Sequence, residues 1–110
     1  MTDQLALELA PLVVPESAPH LTIEERWEAF RMANPHVCRA LVALFEDARA
    51  HGVERWSVKA AFEVLRWQGM RTTGDRYALN NDYTSVAARW LASERPDLAP
   101  MLAMRERRAA

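Results

Sequence analysis

Apolar residues recur with helical spacing through most of this chain. Ile23, Trp27 and Phe30 stand at i, i+4 and i+7, which places them on one face of a helix. Ahead of them, Thr22-Ile23-Glu24-Glu25 has the form of a capping box, in which the Thr22 hydroxyl and the Glu25 carboxylate each take a free backbone N–H. Asn34-Pro35 ends that helix and opens a second, with Asn34 as N-cap and Pro35 at the first helical position. The second predicted helix runs to about His51 on a stripe of Val37, Leu41, Leu44, Phe45 and Ala48, and Gly52 suits a left-handed C-cap. Beyond a connector at 53–56, Ser57 caps a third helix with Val58, Ala61, Phe62 and Leu65 inward. Gly69 is expected to stop it. Residues 70–79 alternate weakly around Thr73-Gly74-Asp75, a pattern of a small hairpin or an irregular loop. A fourth helix is predicted from Asn81 or Asp82 to about Glu94, with Tyr83, Val86, Ala87, Trp90 and Leu91 inward, and it ends before Pro96. Asp97 caps a last short helix holding Leu98, Met101 and Leu102. The expected fold is therefore all-α: a compact bundle of four to five helices, with at most one small hairpin at 70–79.

Residues 1–20 do not share this pattern. Pro11, Pro15 and Pro19 break any long helix there. A short amphipathic helix through Leu5 and Leu9 fits within 2–9. The prolines and the terminal position predict a flexible leader over 1–20, dispensable for folding, ahead of a single helical domain over 21–110. The sharper alternative is a docking segment for another chain, because its leucines and valines have little use in a pure linker. The basic end, 105–110, is expected to fray.

Composition narrows the function classes. One domain of 110 residues can bury a single modest core. No run of 18 apolar residues occurs, so no membrane span is expected, and Asp3 and Glu8 stand where a signal peptide needs basic residues. Cys38 is the one cysteine, so it reads as a small buried hydrophobe of a cytoplasmic protein. The net charge is −1, which argues weakly against a nucleic-acid binder, but the distribution matters more than the sum. All 14 basic residues lie beyond position 20, and 49–89 carries seven of them against four acids. That surplus is a modest electrostatic footprint.

Catalytic patterns are few. His20, His36 and His51 fall at a tail, a helix start and a helix end, and no H-x-x-x-H or C-x-x-C spacing occurs. Cys38 and His36 are two residues apart on one predicted helix, where side chains diverge by roughly 200°, so they make no nucleophile–base pair. Three glycines in the whole chain leave no glycine-rich phosphate loop. No catalytic residue, metal site or cofactor is therefore expected, and the chain reads as non-enzymatic.

The hydrogen-bonding residues concentrate elsewhere. The second and third helices, joined by a short glycine-containing connector, have helix-turn-helix character. In one arrangement the third helix reads DNA through Lys59, Glu63, Arg66 and Gln68, with 70–79 as a wing. In the other the fourth helix reads it, with Asn80, Asn81, Thr84, Ser85 and Arg89 near base edges and Arg71 and Arg76 on phosphates. Asn81, Asp82 and Ser85 are equally well explained as plain capping residues. Four tryptophans are many for this length. Trp27 and Trp90 sit on apolar stripes and read as core. Trp56 and Trp67 flank the third helix beside Arg55, Arg66 and Arg71, where an exposed aromatic can stack on a base or anchor a protein partner.

The string ERWEAF…NPHV…LVALF…GVERWSVKAAFEVLRWQ…RTTGDRYALNNDYTS…ARWLASERPDLA, over roughly 24–102, resembles a family of small helical proteins of phages and prophages with no assigned function. Its distinctive part is FEVLRWQ with RTTGDRYALNNDYTS. The resemblance implies a small phage-type protein acting in the cytoplasm of a bacterial host, and it brings no catalytic residue. Two readings of different class remain. One is a helix-turn-helix-like DNA-binding protein; the charge of a lone protomer offers few phosphate contacts, so this reading calls for a homodimer. The other is a phage accessory protein that binds and modulates a host protein, with the leader, Trp56 and Trp67 as anchors.

Overall fold

The computed structural model describes residues 7–15 and 20–102 and has four α-helices among them, the first three of which begin where the sequence supplies an acceptor or a proline for their free N–H ends. Helix α1 is Ile23–Ala33. The Thr22 hydroxyl accepts from the Glu25 N–H at 3.1 Å and the Glu25 carboxylate accepts from the Thr22 N–H at 2.9 Å, closing the capping box. Helix α2, Pro35–Ala50, opens on its proline, and Gly52 takes a left-handed φ of 87° just past its end. Helix α3 is Val58–Thr73, and the Ser57 hydroxyl accepts from the Ala60 N–H at 3.0 Å. Helix α4, Thr84–Glu94, follows a 3₁₀ turn at Asn81–Tyr83.

Each helix packs on two others: α1 on α2 and α4, α3 on α2 and α4. The apolar stripes meet at the centre, where Val37, Leu41, Phe45, Ala61, Phe62, Leu65, Ala87 and Leu91 are buried. At the α1–α4 corner Trp27 packs on Phe30, Tyr83 and Trp90 with ring centroids 5.6–6.2 Å apart. Trp56 leans on Phe45 at 5.0 Å, and its backbone N–H donates to the Met101 carbonyl at 2.8 Å. That bond ties the α2–α3 connector to the C-terminal turn, whose Leu98, Met101 and Leu102 are buried.

Four expectations are corrected. The first concerns the leader. Residues 7–15 lie extended against the body rather than free, with Leu9 buried. The Asn34 side chain, fully buried, accepts from the Val13 N–H at 2.7 Å and donates to the Val13 carbonyl at 2.7 Å and the Phe30 carbonyl at 3.0 Å. The Tyr77 hydroxyl donates to the Ala10 carbonyl at 2.7 Å. The prolines forbid helix here but not order, because Asn34 and Tyr77 satisfy an extended backbone that helical bonds cannot. For the same reason Asn34 does not cap α2 with its side chain. The expected helix over 2–9 is absent at 7–9, and its residues 2–6 lie outside the described residues, as does the basic end at 105–110.

Second, Gly69 does not stop α3. It is a buried position inside the helix, and the Tyr77 ring lies where a side chain would project. The stop is Gly74, left-handed at φ 80°, whose N–H donates to the Met70 carbonyl. Third, residues 70–79 therefore form neither hairpin nor single loop: 70–73 are the last turn of α3, and no strand occurs among the described residues. Fourth, Asp97 caps nothing. Its two oxygens are taken by a fork from Arg95, both bonds 2.9 Å, and by Arg49 at 3.0 Å, and the last element is only a 3₁₀ turn at Ala99–Met101.

Candidate functional site

The residues expected to read bases are largely spent inside the fold. Chain 75–80 returns from the end of α3 to the start of α4 without regular backbone pairing, so side chains hold it. Arg66 supplies the main tie: its guanidinium donates twice to the Leu79 carbonyl, at 2.8 and 3.2 Å, and once to the Asn81 side-chain oxygen. Glu63 stands 4.0 Å away on the same helix. Asn80 caps the 3₁₀ turn by accepting from the Asp82 N–H at 2.9 Å. The Thr84 hydroxyl donates to the Asn81 carbonyl at 3.0 Å, and the Ser85 hydroxyl accepts from Arg89 at 2.9 Å. Arg89 also reaches Glu24 on α1 at 3.4 Å. Capping and loop-bracing use Arg66, Asn80, Asn81 and Thr84 around the turn, and Ser85, Arg89 and Glu24 form a separate surface chain between α4 and α1. In the fourth-helix arrangement the Asn81 amide oxygen and part of Arg89 are already engaged, while the asparagine amide protons, the Ser85 hydroxyl proton and further Arg89 N–H groups stay available.

Lys59, Arg71 and Arg76 differ. All three are exposed and carry no hydrogen bond or ion pair among the described residues. Between Arg76 and α3 lies a groove of about 550 Å³ with Trp67 and Met70 on its α3 side, Tyr77 and Leu79 on the other, and Arg66 and Asn81 at one end. Trp67 is 56% exposed and Met70 40% exposed, two large apolar side chains left in solvent by a helix whose opposite face is core. Trp56, the other expected anchor, is half-buried on Phe45 and supports the connector instead. Met70 is hidden in the sequence because Gly69 reads as a helix stop. With the helix continued through Gly69, its i+3 spacing from Trp67 is the missed signal.

The buried titratable groups are structural. Burial pushes the Cys38 thiol up to about 12, leaving it protonated and unreactive. Burial likewise pushes the Tyr77 phenol up to about 12, which keeps it a hydrogen-bond donor. His36, whose Nε2 lies 3.2 Å from the Tyr77 hydroxyl, is shifted down by burial and, less, by Arg39. No three of His, Cys, Asp and Glu gather as a metal site among the described residues, and no described helix is long and apolar enough to cross a membrane. No family model, curated protein or solved structure matches the chain.

Proposed function

We propose that this chain is a small non-catalytic interaction module that binds a protein partner in the groove between α3 and residues 76–81. The observation that carries this reading is the pair Trp67 and Met70, exposed beside a concave surface floored by Tyr77 and Leu79. A tryptophan beside an apolar depression, with arginine on its rim, is the composition of a binding hot spot, and a stable monomer gains nothing from leaving it in water. The resemblance to small phage and prophage proteins makes a protein of the bacterial host the proposed partner, met in the cytoplasm.

Lys59, Arg71 and Arg76 favour a second reading, a DNA-binding surface on α3 and the chain that follows it, because no hydrogen bond or ion pair engages them among the described residues. It ranks below the first because bidentate pairing of Asn81 with adenine needs both its amide oxygen and nitrogen, and the oxygen is held by Arg66. One pair of experiments separates the readings. A bacterial lysate passed over immobilised protein should yield a captured protein that Trp67→Ala fails to retain. Capture untouched by Trp67→Ala would remove the groove from the proposal. Gel shifts at roughly 50 mM salt, where electrostatic binding is strongest, test the other. A shift lost in Arg71→Ala and Arg76→Ala would put the DNA reading first.

A further inference from the structure

We propose that a second cavity, an open depression between the docked leader, α1 and the approach to α4, binds a small organic monocarboxylate whose charge is held by Arg26. The cavity measures about 300 Å³ and is lined mainly by Val14, Pro15, Leu21, Phe30 and Tyr83, with Arg26 in its wall. It is concave, chiefly apolar and provided with few polar groups, which is the general form of a small-molecule site.

Arg26 is what gives the cavity its chemistry. Its Nε is buried and has no acceptor among the described residues. Buried donors are ordinarily satisfied, so an unsatisfied one needs a reason. The other half-buried arginines of the body are satisfied: Arg31 by Glu28, Arg66 by Leu79 and Asn81, and Arg95 by Glu46 and Asp97. The acids nearest Arg26 along α1 are committed elsewhere: Glu24 to Arg89, Glu25 to the Thr22 capping box, and Glu28 to Arg31. The Arg26 guanidinium, half-buried at the cavity, therefore has no carboxylate partner among the described residues, while its neighbours are paired.

The surrounding groups fit the same ligand. Burial raises the Tyr83 phenol and the nearby Arg26 charge pulls it the other way, so hydroxyl and guanidinium share one neighbourhood. Asn80, also in the wall, uses its side-chain oxygen on Asp82 and keeps its amide hydrogens for another acceptor. A guanidinium presents parallel N–H bonds that match a carboxylate in the plane. A single positive charge balances a monocarboxylate, whereas a dianionic phosphate would carry a second charge into an apolar wall. The ring of Phe30, 5.3 Å from that of Tyr83, offers an aromatic face to the ligand body. An aromatic or branched-chain carboxylate is the class that satisfies all of these groups at once.

The test is isothermal titration of the full chain with indole-3-acetate and phenylacetate, each against its neutral amide, followed by two-dimensional amide NMR of the wild type. Both acids should bind, with the amides at least about tenfold weaker, the equivalent of roughly 1.4 kcal/mol. Arg26→Gln should abolish binding and Arg26→Lys should keep part of it, with both variants melting near the wild type. Trp67→Ala should leave binding unchanged, which separates this site from the partner groove. Equal binding of acid and amide, or full binding by Arg26→Gln, would overturn the proposal, as would no binding at about 5 mM ligand. If Arg26→Gln does not fold, the NMR map decides. Shifts centred on residues 26, 30, 80 and 83 support the site, and shifts centred elsewhere refute it.

Discussion

Replacing Gly69 with alanine sets two known effects against each other. Inside an exposed helix the change stabilises by about 1 kcal/mol, because alanine has the higher helix propensity. At this position a Cβ would fall onto Cγ, Cδ1 and Cδ2 of the Tyr77 ring. That ring is only 3% exposed, and its hydroxyl is bonded to Ala10, so it cannot swing away without releasing the leader. Overpacking of this kind costs about 1–3 kcal/mol, and complete expulsion of the ring would approach the roughly 3–5 kcal/mol of an aromatic truncation. The overlap with three ring atoms puts the steric cost between those limits, at about 2–4 kcal/mol, so after the helix-propensity gain of about 1 kcal/mol Gly69→Ala should destabilise by about 1–3 kcal/mol, a fall in Tm of roughly 4–12 °C. Urea melts followed by circular dichroism measure it. The decisive arm is the Tyr77→Ala background, where the clash is gone and Gly69→Ala should become stabilising by up to about 1 kcal/mol. Gly74→Ala is the control. Nothing lies within 4 Å of its built Cβ, but φ is 80°, so it should cost about 1 kcal/mol in either background. A neutral or stabilising Gly69→Ala in the wild type would refute the packing of Tyr77 on α3.

Asn34→Ala should cost about 2–4 kcal/mol, since three backbone groups lose a buried partner, and amide exchange should rise around Val13 before the helices open. Phe62→Ala, at a fully buried position, should cost about 3–5 kcal/mol by the same melts, whereas Trp67→Ala, exposed, should change stability by less than about 0.5 kcal/mol. Cys38, buried and with its thiol pushed up to about 12, should resist thiol reagents at pH 8 in the native protein and react at the rate of opening. Arg95 and then Arg49 hold the Asp97 carboxyl well below the usual carboxylate range. The stability it contributes is therefore present above an unfolded pKa of about 3.9 and is lost as pH falls through the folded value. Asp97→Asn should flatten that acid limb of the stability curve.

The helix faces were legible because one local rule decides each of them. The spacing of Ile23, Trp27 and Phe30 specifies a face whatever lies opposite, and the capping box at Thr22 needs only residues three apart. The docked leader was illegible for the opposite reason. Its order depends on Asn34, 21 positions from Val13, and on Tyr77, 67 positions from Ala10. No local pattern encodes those separations, while the prolines that do read locally argue for disorder. Gly69 and Gly74 show the same division. Both look like breakers in sequence, and only the Tyr77 ring against Gly69 separates a close-packing glycine from the helix-ending one.

The polar run after α3 is ambiguous in sequence for a different physical reason. Asparagine, threonine, serine and arginine bond equally well to a base, a phosphate or their own backbone. A cluster of them marks a place where hydrogen bonds are needed without saying by whom. Residues 75–80 cross the surface without regular pairing, so their carbonyls and the free N–H groups of the 3₁₀ turn create that need locally. Arg66, Asn80 and Thr84 meet it at 2.8–3.0 Å, before any ligand arrives. The useful signal is what remains once this internal demand is met. By that measure, among the described residues, Trp67 and Met70 are apolar surface the fold did not consume, Lys59, Arg71 and Arg76 are charge it did not pair, and Arg26 Nε is a buried donor it did not satisfy. Each remainder points outward to a different kind of partner, which is why the groove and the cavity are tested by separate variants.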